Sequence, residues 1–243
     1  MSAGTRICVV TVVLNDAARL EETMRSVRES ASGAGLDHLV IDGGSTDGTV
    51  DVIRKYADRL YYWISEPDTG IYDAMNKGWA AAPADSFILF LGAGDRLISL
   101  PDQMERFSVN DVVYGRVFMG VDTLFTPRAD LHLRLYNSLH HQALLVHKAC
   151  HPAAPFDTRY KIYADFDFNQ RLSRFGARFV YAPSFLSYAN PGGLSDQRDF
   201  SESLAIIRHN YGLLWAALAL LGSRAMKLLP FLQRLRPYRK VRP

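Results

Sequence analysis

Apolar and polar positions follow two alternating periods along the first 100 residues, and each switch between them marks an element boundary. Residues 7–14 are β-branched and almost wholly apolar, the pattern of a central parallel strand covered on both faces, and Asn15-Asp16 then supplies a helix start. Leu20, Met24 and Val27 recur at helical spacing until Gly33 and Gly35 interrupt it. A second strand is predicted over residues 36–42, closing in the turn-rich 43–48, and Val50, Ile53 and Tyr56 mark a second helix. Strands over 60–65 and 86–91 bracket a helical pattern over 71–82, and the last of them stops at Gly92-Ala-Gly-Asp95. Strands alternating with helices predict βαβ units, an α/β fold with a mostly parallel central sheet flanked by helices.

Beyond about residue 100 the alternation weakens. Residues 112–119, 124–127 and 143–147 have strand character, open to antiparallel pairing; 165–175 is helical, and 179–188 returns to strand around Pro183. With no Ser/Gly-rich linker between the halves, the second is expected to complete the same sheet. From Asp199 the pattern is helical to the end, broken at Gly212, Gly222 and Pro230.

Composition adds little, and charge adds much. The 243 residues are 48% hydrophobic and 22% charged with two cysteines, which excludes disorder and a disulfide framework and fits a reducing compartment. The net +3 hides an asymmetry: residues 1–202 hold 20 basic and 25 acidic side chains, while 203–243 hold eight basic and none acidic. This suggests a body over 1–202, its halves meeting near residue 100, and a basic apolar tail over 203–243. The small, polar first residues carry no signal-peptide pattern, which predicts a cytoplasmic start. In the tail the longest uninterrupted apolar run, residues 213–221, is too short to span a bilayer, and the stretch 211–232 reaches that length only by including Arg224, Lys227 and Pro230, which leaves spanning open but disfavoured. Trp215, Arg224, Lys227, Arg234 and Arg236 instead suit a peripheral position on an anionic inner membrane face, with packing on the body or in a homodimer as the alternative. Nucleic acid is not an expected partner, because an acidic body repels phosphate.

In an open α/β sheet ligands bind at the carboxyl ends of the strands, where Asn15, Asp16, Asp42, Glu66, Asp68 and Asp95 fall. Any one of them could be a turn or cap residue; together they point to one acidic crevice suited to a metal-bridged or sugar ligand. Dinucleotide, P-loop and zinc-hydrolase signatures are absent from the sequence.

Residues 10–15 (Val-Thr-Val-Val-Leu-Asn), 39–49 (Leu-Val-Ile-Asp-Gly-Gly-Ser-Thr-Asp-Gly-Thr), 65–78 (Ser-Glu-Pro-Asp-Thr-Gly-Ile-Tyr-Asp-Ala-Met-Asn-Lys-Gly) and 90–95 (Phe-Leu-Gly-Ala-Gly-Asp) together resemble family 2 glycosyltransferases of the GT-A fold, a Rossmann-like nucleotide-diphospho-sugar transferase architecture. The bacterial capsule, exopolysaccharide and lipopolysaccharide enzymes are nearest in pattern; the likeness is strong over 5–100 and weaker over 100–190. It implies donor contacts at Thr11, Asn15, Asp42, Asp68, Asn76 and Lys77, and a divalent cation, Mn²⁺ or Mg²⁺, at Asp95, the remnant of an Asp-x-Asp motif. Asp73 and Lys77, four apart, also fit a plain surface ion pair. Asp165 matches the catalytic base of inverting members, with Ala164 where they carry Glu; His141, Gln142 and Asp167 become acceptor-side residues, with a structural histidine and a helix cap as their plainer readings.

The activity so implied is inverting hexosyl or N-acetylhexosaminyl transfer from a nucleotide-diphosphate sugar, UDP-sugar favoured, to a saccharide or lipid-linked saccharide acceptor. Lacking the Gln-x-x-Arg-Trp of processive members, the chain is expected to add one sugar per encounter. The competing reading, motivated by Ala164 and the shortened metal motif, is a catalytically lapsed sugar-nucleotide binding or scaffold protein.

Overall fold

The computed structural model describes residues 5–30, 35–120, 123–151, 153–192, 199–228 and 238–240, with backbone alone for 226–228 and 238–240. Gly33, Pro230, Arg234, Arg236 and Arg242, and the side chains of Lys227, Arg239 and Lys240, lie outside the described residues.

The first half follows the apolar pattern closely. Strands β1 (Arg6–Val13), β2 (Leu36–Asp42), β3 (Tyr62–Ser65) and β4 (Ser86–Gly92) form a parallel sheet in the order β3-β2-β1-β4, with α1 (Ala17–Ser30), α2 (Thr49–Lys55) and α3 (Ile71–Ala81) as its crossovers. Strand alternation divides β1 between two cores: Cys8, Val10 and Val12 face α3, whereas Ile7, Val9 and Val13 lie on the side of α1. Gly78 lets α3 settle onto the sheet, since a Cβ there would collide with the Val10 side chain. Both cysteines are free, and burial pushes the Cys8 thiol up to about 12.

The second half extends the same sheet with mixed polarity. After β5 (Arg96–Ser99) come β6 (Asp111–Met119), β7 (Thr123–Phe125), β8 (Leu144–His147), α4 (Ala164–Arg174) and β9 (Arg178–Ala189). β8 runs antiparallel to both β4 and β6, β7 antiparallel to β6, and β9 parallel to β6. β5 pairs antiparallel with β9, an element the apolar pattern did not predict because its four residues contain Arg96 and an exposed Ile98.

Helix α5 (Phe200–Tyr211) and helix α6 (Leu213–Leu228) break at Gly212, whose φ of 88° is the left-handed turn a glycine allows. The helical pattern expected to the end of the chain stops short of it: Tyr238–Lys240 form β10, pairing antiparallel with β7 at the sheet edge, where an open edge strand offers backbone groups to pair with. The division drawn at residue 203 from charge falls inside α5, whose Ile206, Ile207 and Asn210 are buried against the body. On α6, Ala219 is buried and Trp215 and Ala216 pack on the core, while Leu213, Leu214, Leu218 and Leu221 stay exposed. Among the described residues no helix is long and apolar enough to cross a membrane.

Candidate active site

The residues expected to touch a donor lie around the strand ends, but most have their polar atoms already engaged. Asp42 is fully buried; its Oδ2 accepts from the Gly44 and Ser45 N–H groups at 3.2 and 3.0 Å and from the Ser65 hydroxyl at 2.6 Å, while Oδ1 takes the Ser45 hydroxyl. It shapes the 43–48 turn from within. Asn15, at φ 51°, joins that turn: its Oδ1 accepts from Thr46 N–H at 2.8 Å and its own N–H donates to Ser45 Oγ at 2.6 Å. Thr11 faces away from the strand ends into the α1 side of the sheet, where its hydroxyl meets His38 Nε2 at 2.9 Å; burial lowers that imidazole to about 4.

Asp68 accepts from Gly70 N–H at 2.8 Å and lies so close to Gly43 that any Cβ there would strike it. Asn76 spends its amide on Phe156, donating to its carbonyl at 2.8 Å and accepting from its N–H at 3.0 Å, which pins the 153–163 segment onto α3. Lys77 pairs with Glu66 at 2.8 Å and donates to the Pro67 carbonyl at 2.9 Å; its hydrogen bond to Glu66 raises the ammonium above its ordinary range. The Asp73–Lys77 pair suggested by spacing is not formed: Asp73 instead accepts from Thr69 N–H at 3.0 Å, because the 66–70 turn brings Glu66 within reach of the lysine.

A second group converges from three elements. Asp165, in the first turn of α4, is buried, and its Oδ2 meets His141 Nδ1 at 3.4 Å and Asn137 Nδ2 at 3.3 Å. Its Oδ1 accepts from Phe166 N–H at 2.8 Å, with the Tyr72 hydroxyl at 3.4 Å. Asp95 follows β4, buried, accepting from Gly92 N–H at 2.8 Å and Asn190 N–H at 2.9 Å, with a further hydrogen bond to Gln142. Burial pushes its carboxyl above the ordinary carboxylate range, against the opposing pull of His141 and the N–H donors. For His141 burial alone would depress the imidazole, but the hydrogen bond to Asp165 and the charges of Asp165 and Asp95 outweigh it and raise it. His141 thus electrostatically joins two carboxylates carried by different elements. Asp167 points elsewhere: it accepts from Arg171 at 2.8 Å and from Asn210 at 2.9 Å, a buried link between α4 and α5.

Around Asp165 and His141 several buried amide atoms find no partner among the described residues: Gln142 Oε1, Asn137 Oδ1 and both side-chain polar atoms of Asn169. Asn169, one helical turn beyond Asp165, lines with it and His141 a small cavity of about 10 Å³. Buried amides are costly to leave unpaired, so a cluster of them marks a place where a ligand or water completes the bonding.

The sequence reading missed Tyr72, Asn137, Asn169, Asn190 and Glu202. Glu202, from α5, accepts from the N–H groups of Lys161, Ile162 and Tyr163, and Tyr72 donates to the Ile162 carbonyl at 2.7 Å. The signal at Glu202 is ambiguous, since Asp199-x-x-Glu202 reads as a self-contained capping box. Asp199 does cap α5, accepting from Ser201 and Glu202 N–H, but the glutamate turns outward to α4.

A cation would meet one carboxylate here. Among the described residues no three His, Cys, Asp or Glu side chains form a metal-binding cluster, so a hard divalent ion would draw most of its ligands from a diphosphate and water. Asp95 fits that arrangement: it is buried, its neighbours are N–H donors and one histidine, and carboxylate lone pairs remain beyond the bonds it accepts.

Comparison with known proteins bears on the family and the fold. A PGL/p-HBAD biosynthesis glycosyltransferase of Mycobacterium bovis is 31% identical over 210 residues, covering 80% of each chain. An uncharacterised glycosyltransferase of Mycobacterium tuberculosis is 41% identical over 102 residues, 42% of this chain but only 38% of that relative's length. S. aureus TarS superposes with a TM-score of 0.63 at 15% identity over 84% of this chain and 39% of that one, and a piece of TarS has been solved with UDP-GlcNAc. A mannosyltransferase of Pyrobaculum calidifontis, solved with GDP-Man and Mn²⁺, gives 0.57 at 17% identity over 96% of this chain and 79% of that one. These likenesses establish the GT-A fold. The model of "Glycosyl transferase family 2" matches residues 8–169, more than half of the chain, and the chain belongs to that family.

Proposed function

We propose that this chain moves one sugar per encounter, with inversion, from a nucleotide-diphosphate sugar to a saccharide or lipid-linked saccharide, with Asp165 as base. The observation that carries the proposal is the convergence of Asp165, His141 and Asn137 beside buried amides that lack partners among the described residues. In this reading the acceptor hydroxyl enters beside Asp165, its oxygen bonds to the anomeric carbon as the bond to the diphosphate breaks, and its proton passes to the carboxylate. His141 and Asn137 approach Oδ2 and Phe166 N–H holds Oδ1, which orients the carboxylate before substrate arrives.

Asn15, Asp68 and Lys77 form the donor rim in this proposal, and Asp42 and Asn76 act through the loops they fix. Thr11, on the far face of the sheet, takes no direct part. UDP is the favoured nucleotide, in line with the UDP-GlcNAc bound by TarS. Asp95 would hold Mn²⁺ or Mg²⁺, which supplies positive charge to the departing diphosphate.

The exposed leucines of α6, followed by the basic end of the chain, would rest on the anionic inner face of the cytoplasmic membrane. Replacing Leu214, Leu218 and Leu221 by Ser should abolish co-sedimentation with phosphatidylglycerol vesicles. Undiminished sedimentation would overturn the membrane role, and a wild-type dimer that the substitutions dissolve would assign this face to a second copy.

The activity itself is tested by screening UDP- and GDP-sugars for thermal stabilisation, with and without Mn²⁺, then following donor consumption and the anomer formed by NMR. An inverted anomer is expected. Retention would overturn the direct-displacement mechanism, and stabilisation without any turnover on saccharide or lipid-linked acceptors would favour a lapsed binding protein.

A further inference from the structure

We infer that Glu202, on α5, is a positioning residue for Asp165. The inference rests on the proposed role of Asp165 as base and concerns how that carboxylate is held in place.

The segment entering α4 is gripped from two sides. Glu202 Oε1 accepts from Ile162 N–H at 2.9 Å and Tyr163 N–H at 2.6 Å, and Oε2 accepts from Lys161 N–H at 2.9 Å. From α3, the Tyr72 hydroxyl donates to the Ile162 carbonyl at 2.7 Å. Three consecutive N–H groups on one carboxylate form a charge-assisted clamp, each bond stronger than a neutral one. A negative group at this place also complements the positive end of the eleven-residue α4. Asp165 lies two residues beyond the clamp, and its own contacts to His141 and Asn137 are long, 3.4 and 3.3 Å. Those two contacts hold Oδ2 loosely, and the close bond to Oδ1, 2.8 Å from Phe166 N–H, comes from the backbone of α4 itself, so the clamp that fixes where α4 begins also fixes where Asp165 stands.

The rest of α5 serves as the rigid mount. Ile206 and Ile207 are buried, and Asn210 donates to Asp167 at 2.9 Å and to Gln170 at 3.1 Å. The carboxyl-terminal arm is thereby joined to the catalytic centre by its first turn.

The test compares Glu202→Ala, Glu202→Gln and Arg178→Ala, each alone, and Glu202→Ala in an Asp165→Asn background. Arg178→Ala strips the partner from buried Asp111 on β6, and so lowers stability without touching the 161–163 segment. For Glu202→Ala the expected result is a kcat about 30- to 100-fold lower, the scale of an ångström-sized misplacement, with donor KM within about twofold. Glu202→Gln keeps an oxygen for Ile162 and Tyr163 and should return kcat to within about fivefold of the native protein. Arg178→Ala should leave kcat within about twofold at a similar loss of Tm. In the Asp165→Asn background, removing Glu202 should change the residual rate by less than about twofold.

Equal kcat losses for Glu202→Ala and Arg178→Ala at matched Tm, or an undiminished Glu202 effect in the Asp165→Asn background, would overturn the positioning role alone. Full transfer by Asp165→Asn would overturn the base assignment and the positioning role with it. Should Glu202→Ala not fold, Glu202→Gln and Glu202→Asp decide: near-native kcat for Gln and an about tenfold loss for Asp, one methylene too short, support the clamp, while equal rates for the two refute it.

Discussion

The loop at the end of β2 and the entry to α4 both present buried aspartates, yet their surroundings differ in kind. Asp42 is saturated, taking four hydrogen bonds from Gly44, Ser45 and Ser65, and Asn15 locks the same loop from the neighbouring strand. Asp165 takes one close bond, from Phe166 N–H, and otherwise sits among long contacts and amides with atoms that have no partner among the described residues. A polar cluster that satisfies itself is scaffolding, while one that leaves buried bonding capacity unused is arranged for something that arrives later. In the proposed reading the turn that Asp42 holds gives the donor side its shape, and the α4 entry supplies the chemistry.

Several substitutions bear on that contrast, and the largest effect is expected at Asp95. Asp95→Ala should lower kcat/KM about 100- to 1,000-fold at limiting Mn²⁺. Because burial raises the Asp95 carboxyl, protons should compete with the cation from a higher pH than at an ordinary carboxylate, so cation-dependent donor binding, read by calorimetry, should weaken as pH falls toward that range. Cation-independent turnover in the native protein would remove Asp95 from the reaction.

Asn169→Leu sharpens the comparison further. Replacing a fully buried amide that has no partner among the described residues by an isosteric apolar group should raise Tm, by about 2–4 °C per kcal/mol gained, and yet lower transfer about tenfold. A variant that is both less stable and fully active would show that the amide is not held for a ligand. Asp42→Ala should behave in the opposite way, costing about 2–4 kcal/mol of stability with kcat within a few-fold at saturating donor, as denaturant titration and kinetics would show.

The smallest effect on transfer is in the scaffold's response to acid. Burial holds His38 neutral down to about 4, below the ordinary imidazole range near 6.5. The unfolded chain therefore takes up a proton that the folded one refuses, and stability should decline as pH falls from about 6.5 to about 4. His38→Gln should lessen that decline in a Tm-against-pH series, the rest coming from His140, which burial also lowers to about 4.

Much of this architecture was legible in the chain because it is local. The apolar runs of β1, β2 and β4 fall where the pattern put them, and the acidic and turn residues of 42–48, 66–70 and 92–95 stand at strand ends as expected. What was not legible depends on parity and tertiary reach. Thr11 lies near a strand end in sequence, but alternation along β1 turns it to the α1 face and His38. Lys77 sits four residues from Asp73 yet pairs with Glu66, which a turn rather than a helix brings near. The charge boundary near 203 is real in composition, but packing ignores it: α5 crosses it and delivers Glu202 to α4. Nothing within ten residues of Glu202 in sequence tells of Lys161, Ile162 and Tyr163.

The most direct test of the central claim sets Asp165→Asn beside the native protein, with donor stabilisation and transfer rate measured on the same preparation. The account predicts an unchanged Tm shift on adding the nucleotide sugar with Mn²⁺ and a transfer rate lower by about 100-fold or more. Transfer at the native rate by Asp165→Asn would contradict it.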